Sequence, residues 1–340
     1  MALAEVRDLN VRFVTREATV HAVNGVSFSV QPGEVLCILG ESGSGKSVTL
    51  RALMRLLPPR RTQIEGSVHV EGQDVLAMPS RVLRDLRGGL VAMIFQEPMT
   101  ALDPVYTVGQ QIGETVRRHT GCDRQAARKR VLELLELVRI PSAERRLDAY
   151  PHELSGGLRQ RAMIAMALSC NPRLLLADEP TTALDATVQV QVLILLRRLQ
   201  RELGMGMIFV THDLGVAAEI ADTIAVMYAG RLVESGPVSQ ILNAPAHPYT
   251  AGLLASTVHG QPRHRDIDAI AGSPPDMRRL PQGCSFTPRC PRRLAECRLA
   301  VPEPRFPAPG HMAACHAVAA GVPATQVAST RGSSAAMSAR

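Results

Sequence analysis

Eight residues constrain this chain more than anything else in it: Gly40-Glu41-Ser42-Gly43-Ser44-Gly45-Lys46-Ser47, set directly after the apolar run Val35-Leu36-Cys37-Ile38-Leu39. Helical periodicity follows over residues 47–57 and stops at Pro58-Pro59. Three glycines let the main chain turn and approach a ligand without Cβ clashes, so successive backbone N–H groups can wrap a polyphosphate. The helix start adds partial positive charge there. Lys46 has the reach for β- and γ-phosphates, and the Ser47 hydroxyl is placed for Mg²⁺.

A strand, a phosphate loop and a helix predict an α/β chain, and the rest of the sequence agrees. Residues 9–30 and 64–74 read as short strands. Two further buried strands are expected at Leu174-Leu175-Leu176-Ala177 and Met207-Ile208-Phe209-Val210. Between them, residues 186–202 form an amphipathic helix with the stripe Val188, Val192, Leu195 and Leu199. Such alternation implies a largely parallel sheet covered on both faces. Residues 105–146 carry no strand signal and read as a helical insertion, with Val131, Leu134, Leu135 and Val138 as its apolar positions. No internal repeat is visible.

The strand ending at Ala177 runs into Asp178-Glu179, a pair of carboxylates at a strand tip. Asp178 is expected to hold Mg²⁺ through water. Glu179 is expected to polarise an attacking water as general base, a role typically worth ~10²–10⁴ in rate. A second helix start, Ser155-Gly156-Gly157, forms another anion site that a nucleotide on the chain's own phosphate loop does not fill.

The formal charge of +7 raises nucleic acid or an anionic membrane as partners, but its distribution argues against both. From residue 256 onward there are 11 Arg against 5 Asp+Glu, so nearly all the excess lies in the last quarter. Lysine occurs only at Lys46 and Lys129, and aromatics are only 3% with no Trp, which leaves little with which to stack bases. No apolar run approaches the ~18 residues of a membrane span, and the first residues lack a secretory pattern. A cytosolic, non-membrane chain is the expectation.

At Leu154-Ser155-Gly156-Gly157-Leu158-Arg159-Gln160-Arg161 the sequence resembles the signature of ATP-binding-cassette (ABC) ATPases. In that family's order it also has the loop Gly40 to Ser47, Gln96 in Phe95-Gln96-Glu97-Pro98, Asp178-Glu179, Ala183-Leu184-Asp185, and His212 in Thr211-His212-Asp213. The resemblance implies a P-loop fold with a RecA-like core, an antiparallel β subdomain and a helical subdomain at about 97–165, all within an ATP-binding domain at 1–254. It further implies ATP and Mg²⁺ as ligands, Gln96 contacting Mg²⁺ and water, and His212 sensing the γ-phosphate. Phe13 takes the position of the aromatic that stacks on adenine. Ser155, Gly156, Gly157 and Gln160 would close over ATP held by a second such domain, with Asp185 at the seam. Thr182 stands where the wider family often has serine.

Past residue 254 the composition changes, with 11 of the 24 prolines and 4 of the 7 cysteines, so residues 255–320 read as a separate small extension and 321–340 as a disordered tail. Ala246-His247-Pro248-Tyr249-Thr250 and Gly283-Cys284-Ser285-Phe286-Thr287-Pro288-Arg289-Cys290-Pro291 resemble the C-terminal part of ATP-binding subunits of dipeptide and oligopeptide importers, a group that includes some nickel importers. That resemblance implies a peripheral subunit at the cytoplasmic face of the membrane. Its partners would be two transmembrane permease subunits, a second and related ATPase, and an extracytoplasmic peptide-binding protein, with no nucleic acid. A soluble ABC ATPase acting on DNA or ribosomes is the reading from another class.

Cys284, Cys290, Cys297 and Cys315 lie within 32 residues, and clustered thiols in a cytosolic chain favour metal over disulfides. No close Cys-x-x-Cys pair of the usual zinc kind is present. The resemblance implies a [4Fe-4S] cluster, with Zn²⁺ or no metal as alternatives, in a structural or a redox-sensing role.

Overall fold

The structure, a computed structural model, describes residues 1–97, 101–182, 184–256 and 270–320. Pro98, Ala183 and the tail 321–340 of the sequence reading lie outside the described residues. In chain order the strands are β1 Ala4–Val14, β2 Thr19–Val30, β3 Val35–Leu39, β4 Thr62–Val70, β5 Gln73–Asp74, β6 Val91–Ile94, β7 Leu174–Asp178, β8 Gly206–Thr211, β9 Thr223–Tyr228, β10 Arg231–Pro237, β11 Arg305–Ala308 and β12 His311–Ala313.

They form two sheets. An antiparallel sheet has the order β2-β1-β4-β5, and a mixed sheet has the order β11-β12-β10-β9-β3-β8-β7-β6. Within the second, β9, β3, β8, β7 and β6 are parallel, with Val35 beside Met207 and Leu174 beside Gly206. All five residues of β3 are buried because both faces of the sheet are covered. Side chains alternate between the two covers: Val35, Cys37 and Leu39 join the core under the helices, while Leu36 and Ile38 join the core under the antiparallel sheet. The ABC-type P-loop architecture expected from the motifs is present, with its antiparallel β subdomain.

The helical insertion comprises Val108–Thr120, Arg124–Leu137 and the short Ala143–Arg146. Its first two helices start where side chains satisfy otherwise unpaired N–H groups. Thr107 accepts from the Gln110 N–H while the Gln110 side chain accepts from the Thr107 N–H, and Asp123 accepts from Ala126. Val131, Leu134 and Leu135 are buried, as their periodicity requires. The helix after the phosphate loop is shorter than its periodicity suggests, Lys46–Leu53, because Arg55 takes a left-handed backbone at φ 49°.

The C-terminal extension does not fold apart from the core. Strand β12 pairs antiparallel with β10, placing Ala313 opposite Glu234 and Met312 opposite Ser235, so the extension lengthens the main sheet. Phe286 is buried against Tyr228 and Tyr249, with ring centroids 5.2 and 5.4 Å away. Buried Glu234 accepts from the N–H groups of Ala246 and His247 and pairs with His311 Nε2 at 2.7 Å. Proline-rich composition signals a distinct segment, but it does not report these long-range contacts.

Candidate functional site

Strands β3, β7 and β8 are parallel neighbours, so their C-terminal ends lie together, the usual position for a ligand site in such sheets. The phosphate loop leaves β3 there. Gly40 and Gly45 are required by close approach: a Cβ would stand 2.2 Å from the Met227 carbonyl oxygen in the first case and 2.4 Å from that of Ala22 in the second. Gly45, at φ +102°, caps the helix that begins with Lys46, while Ser42 and Gly43 are exposed on the loop's outer side. The first N–H groups of that helix have no acceptor within it.

Lys46 is 4% exposed and donates to the carbonyls of Gly40 at 2.7 Å and Glu41 at 3.0 Å. Burial lowers its pKa, opposed chiefly by the charges of Glu179 and Asp178. The Ser47 hydroxyl donates to Asp178 Oδ1 at 2.6 Å. Asp178 is fully buried, its Oδ2 has no hydrogen-bond partner, and burial raises its pKa against the Ser47 bond and the charge of Arg51. Ser47 and Asp178 thus fit Mg²⁺, since a buried carboxylate with a spare oxygen beside a hydroxyl is the donor set a hard cation takes.

Glu179 is the hub of the site. Its backbone is strained at φ 46°, a cost that tends to persist where a side chain must be aimed. Its Oε2 lies 2.9 Å from the Thr182 hydroxyl, 3.1 Å from His212 Nδ1 and 3.4 Å from Gln96 Nε2, while Oε1 is 3.9 Å from Lys46 Nζ. The structure therefore brings together Gln96, Lys46, Ser47, Asp178, Glu179 and His212. Thr182 joins them as a donor that sequence reading treated only as a conservative replacement. Tyr249 was missed as well: its hydroxyl accepts from the Glu41 N–H at 3.0 Å. Buried His247, with its pKa pushed down to about 3 by desolvation, accepts from the Tyr249 N–H at 3.0 Å as a neutral ring.

The other candidates stand elsewhere. Ser155 caps the helix Gly156–Ala167 by accepting from Leu158, and Asp185 caps Ala186–Leu203 by accepting from Val188 at 3.0 Å. A Cβ on Gly157 would meet Val188 Cγ1 at 2.7 Å, whereas one on Gly156 would meet nothing closer than Leu184 Cδ2 at 3.9 Å. Gln160 is buried with its Nε2 unpaired. Phe13 is half-buried on β1 against the antiparallel sheet's core. Among the described residues no hydrogen bond or ion pair links Ser155, Gln160 or Asp185 to the phosphate loop.

The four C-terminal cysteines converge without forming a ligand set. Burial pushes the Cys290 thiol up to about 11, with Cys315, Cys284 and Cys297 close enough to add to the rise. Cys284 and Cys315 are raised for the same first reason. Gly283 is needed here, since a Cβ would stand 2.2 Å from the Cys297 carbonyl oxygen, and the Cys284 N–H donates to that oxygen at 2.8 Å. Among the described residues no group of three or more His, Cys, Asp or Glu side chains is arranged to hold a metal ion, so this geometry does not supply the expected ligands.

Residues 23–182 match the family described as ABC transporter, and residues 233–297 match the oligopeptide/dipeptide transporter C-terminal region. A putative peptide import ATP-binding protein of Brucella ovis is 51% identical over 312 residues, covering 88% of this chain and 92% of that protein. The dipeptide transport ATP-binding protein of Bacillus subtilis is 46% identical over 311 residues, covering 91% and 93%. Among solved structures, a dimeric ATP-binding cassette in a post-hydrolysis state with ADP and Pi superposes with TM-score 0.62 at 28% identity, covering 69% of this chain and 98% of that one. A cassette from Clostridium perfringens, part of an ABC transporter complex, gives 0.60 at 28% identity, covering 71% and 90%. Identity at this level along nearly the whole of both chains settles the family: this chain belongs to the ATP-binding subunits of ABC transporters that carry the oligopeptide/dipeptide transporter C-terminal region.

Proposed function

We propose that this chain is the ATP-hydrolysing subunit that powers import of dipeptides or oligopeptides across the cytoplasmic membrane. The observation that carries the hydrolytic part is the Glu179 carboxylate, held by Thr182, His212 and Gln96 beside Lys46. The transported class is supported by the C-terminal match and by the names of relatives from Brucella and Bacillus.

In this reading the phosphate loop and Lys46 hold the triphosphate, and Ser47 with Asp178 holds Mg²⁺, which when bound neutralises charge developing on the phosphates. Glu179 takes a proton from water as the water oxygen bonds to the γ-phosphorus and the β–γ bridging P–O bond breaks. His212 and Gln96 orient the carboxylate and the water. Phe13 stacks on adenine. Ser155 and Gly156, at a helix start with N–H groups to spare, close over the nucleotide of a second ATPase subunit, with Gly157, Gln160 and Asp185 shaping that seam. The dimeric cassette bound to ADP and Pi supports this arrangement.

Among the described residues no helix is long and apolar enough to cross a membrane; in this reading separate permease subunits form the path, as the transporter family match supports. Two of these, a related second ATPase and an extracytoplasmic peptide-binding protein complete the complex, with this chain peripheral at the cytoplasmic face. The [4Fe-4S] reading of Cys284, Cys290, Cys297 and Cys315 rests on the four thiols being mutual neighbours, and ligation would have to draw them together and release their protons. The test of function is ATP turnover by the assembled complex in lipid vesicles. Peptide-loaded binding protein should stimulate it and drive peptide accumulation; turnover indifferent to every peptide would remove the proposed cargo.

A further inference from the structure

The phosphate loop is gripped from outside its own motif. Arg289, in the C-terminal extension, places Nη1 2.9 Å from Glu41 Oε2, and its side chain is only 6% exposed. The rest of the guanidinium is tied down too: Nη1 also donates to the Tyr228 hydroxyl at 3.4 Å, Nε to the Ala271 carbonyl at 3.1 Å, and Nη2 to the Ile270 carbonyl at 3.3 Å. Its plane lies over the Tyr228 ring, 5.7 Å from the centroid. With Tyr249 holding the Glu41 N–H, both the backbone and the side chain of one loop residue are fixed by residues more than 200 positions downstream.

Electrostatics gives this contact a function. Glu41 is an acidic residue in a loop built to receive a polyanion, and an unpaired carboxylate there repels the ligand over a short, poorly screened distance. A buried arginine with Nη1 on that carboxylate, and its other nitrogens held by backbone carbonyls, cancels the charge and fixes the loop's shape before the ligand arrives. We propose that Arg289 is a positioning residue of the nucleotide site: it neutralises and orients Glu41, making the extension part of the machinery that binds ATP. This rests on reading the loop as an ATP site.

The test is titration of the full-length chain with a fluorescent ATP analogue and Mg²⁺. Arg289→Ala should weaken binding about tenfold, the scale of one lost charge-assisted hydrogen bond. Glu41→Gln combined with Arg289→Ala should recover most of that loss, because the uncompensated carboxylate is gone. Arg289→Lys, which keeps the charge without the fork, should fall between and carries the test should Arg289→Ala fail to fold. Wild-type affinity in Arg289→Ala, or a double variant as weak as the single one, overturns the proposal, the latter by showing that Arg289 only anchors the extension. A wild-type chain that binds no ATP overturns the nucleotide reading itself.

Discussion

At the tips of β3, β7 and β8, Ser47 bonds Asp178 at 2.6 Å, and Glu179 meets His212 at 3.1 Å and Lys46 at 3.9 Å. Beside β10, Cys284, Cys290, Cys297 and Cys315 are drawn near each other yet make no ligand group. The first set is aimed by parallel strands whose ends are fixed by a two-sided core, so it is assembled before any ligand binds. The second set hangs on turns and 3-10 segments around Gly283 and Cys297, tied to the core by the aromatic cluster, the Glu234–His311 pair, β12 and Arg289 rather than by a two-sided sheet. Rigid strand tips suit chemistry that must not wait for reorganisation, and a loop-built set suits a group whose binding itself completes the fold.

The largest effect that would sharpen this contrast is expected at Glu179. Glu179→Gln should keep ATP binding and lower turnover by ~10²–10⁴, measured as phosphate release beside a nucleotide titration. Turnover within threefold of wild type would mean the strand-tip cluster is not the catalytic one. On the other side, His311→Ala leaves the buried Glu234 carboxylate without its hydrogen bond to the imidazole. It should destabilise the chain by roughly 1–3 kcal/mol in denaturant unfolding and expose the extension to protease first. Unchanged stability would show that the extension docks without that pair.

The phosphate loop and the carboxylates of Asp178-Glu179 were legible in the sequence because each is local, a glycine-spaced loop after an apolar run and two acids at a strand end, whereas Gln96 and His212 were placed only through the family resemblance. Thr182, Tyr249 and Arg289 were not legible, since an ordinary hydroxyl, phenol or guanidinium acquires its role only from a partner brought near by the fold. Strands β9 and β10 escaped notice for a related reason: Thr223–Tyr228 is a short apolar run that periodicity cannot assign to strand or helix. Strands β11 and β12, four and three residues long, leave still less pattern to read. The extension's attachment to the main sheet was hidden by the same shortness.

The most direct test concerns Ser155, because the account makes this chain's signature helix complete an active centre on another subunit. Ser155→Asp keeps a good helix cap while placing negative charge where a partner's γ-phosphate would sit. In the assembled two-ATPase complex, the nucleotide site facing that helix should lose turnover by about 10²-fold, while this chain's own loop binds ATP as before. Hydrolysis at the wild-type rate at that site would contradict the account.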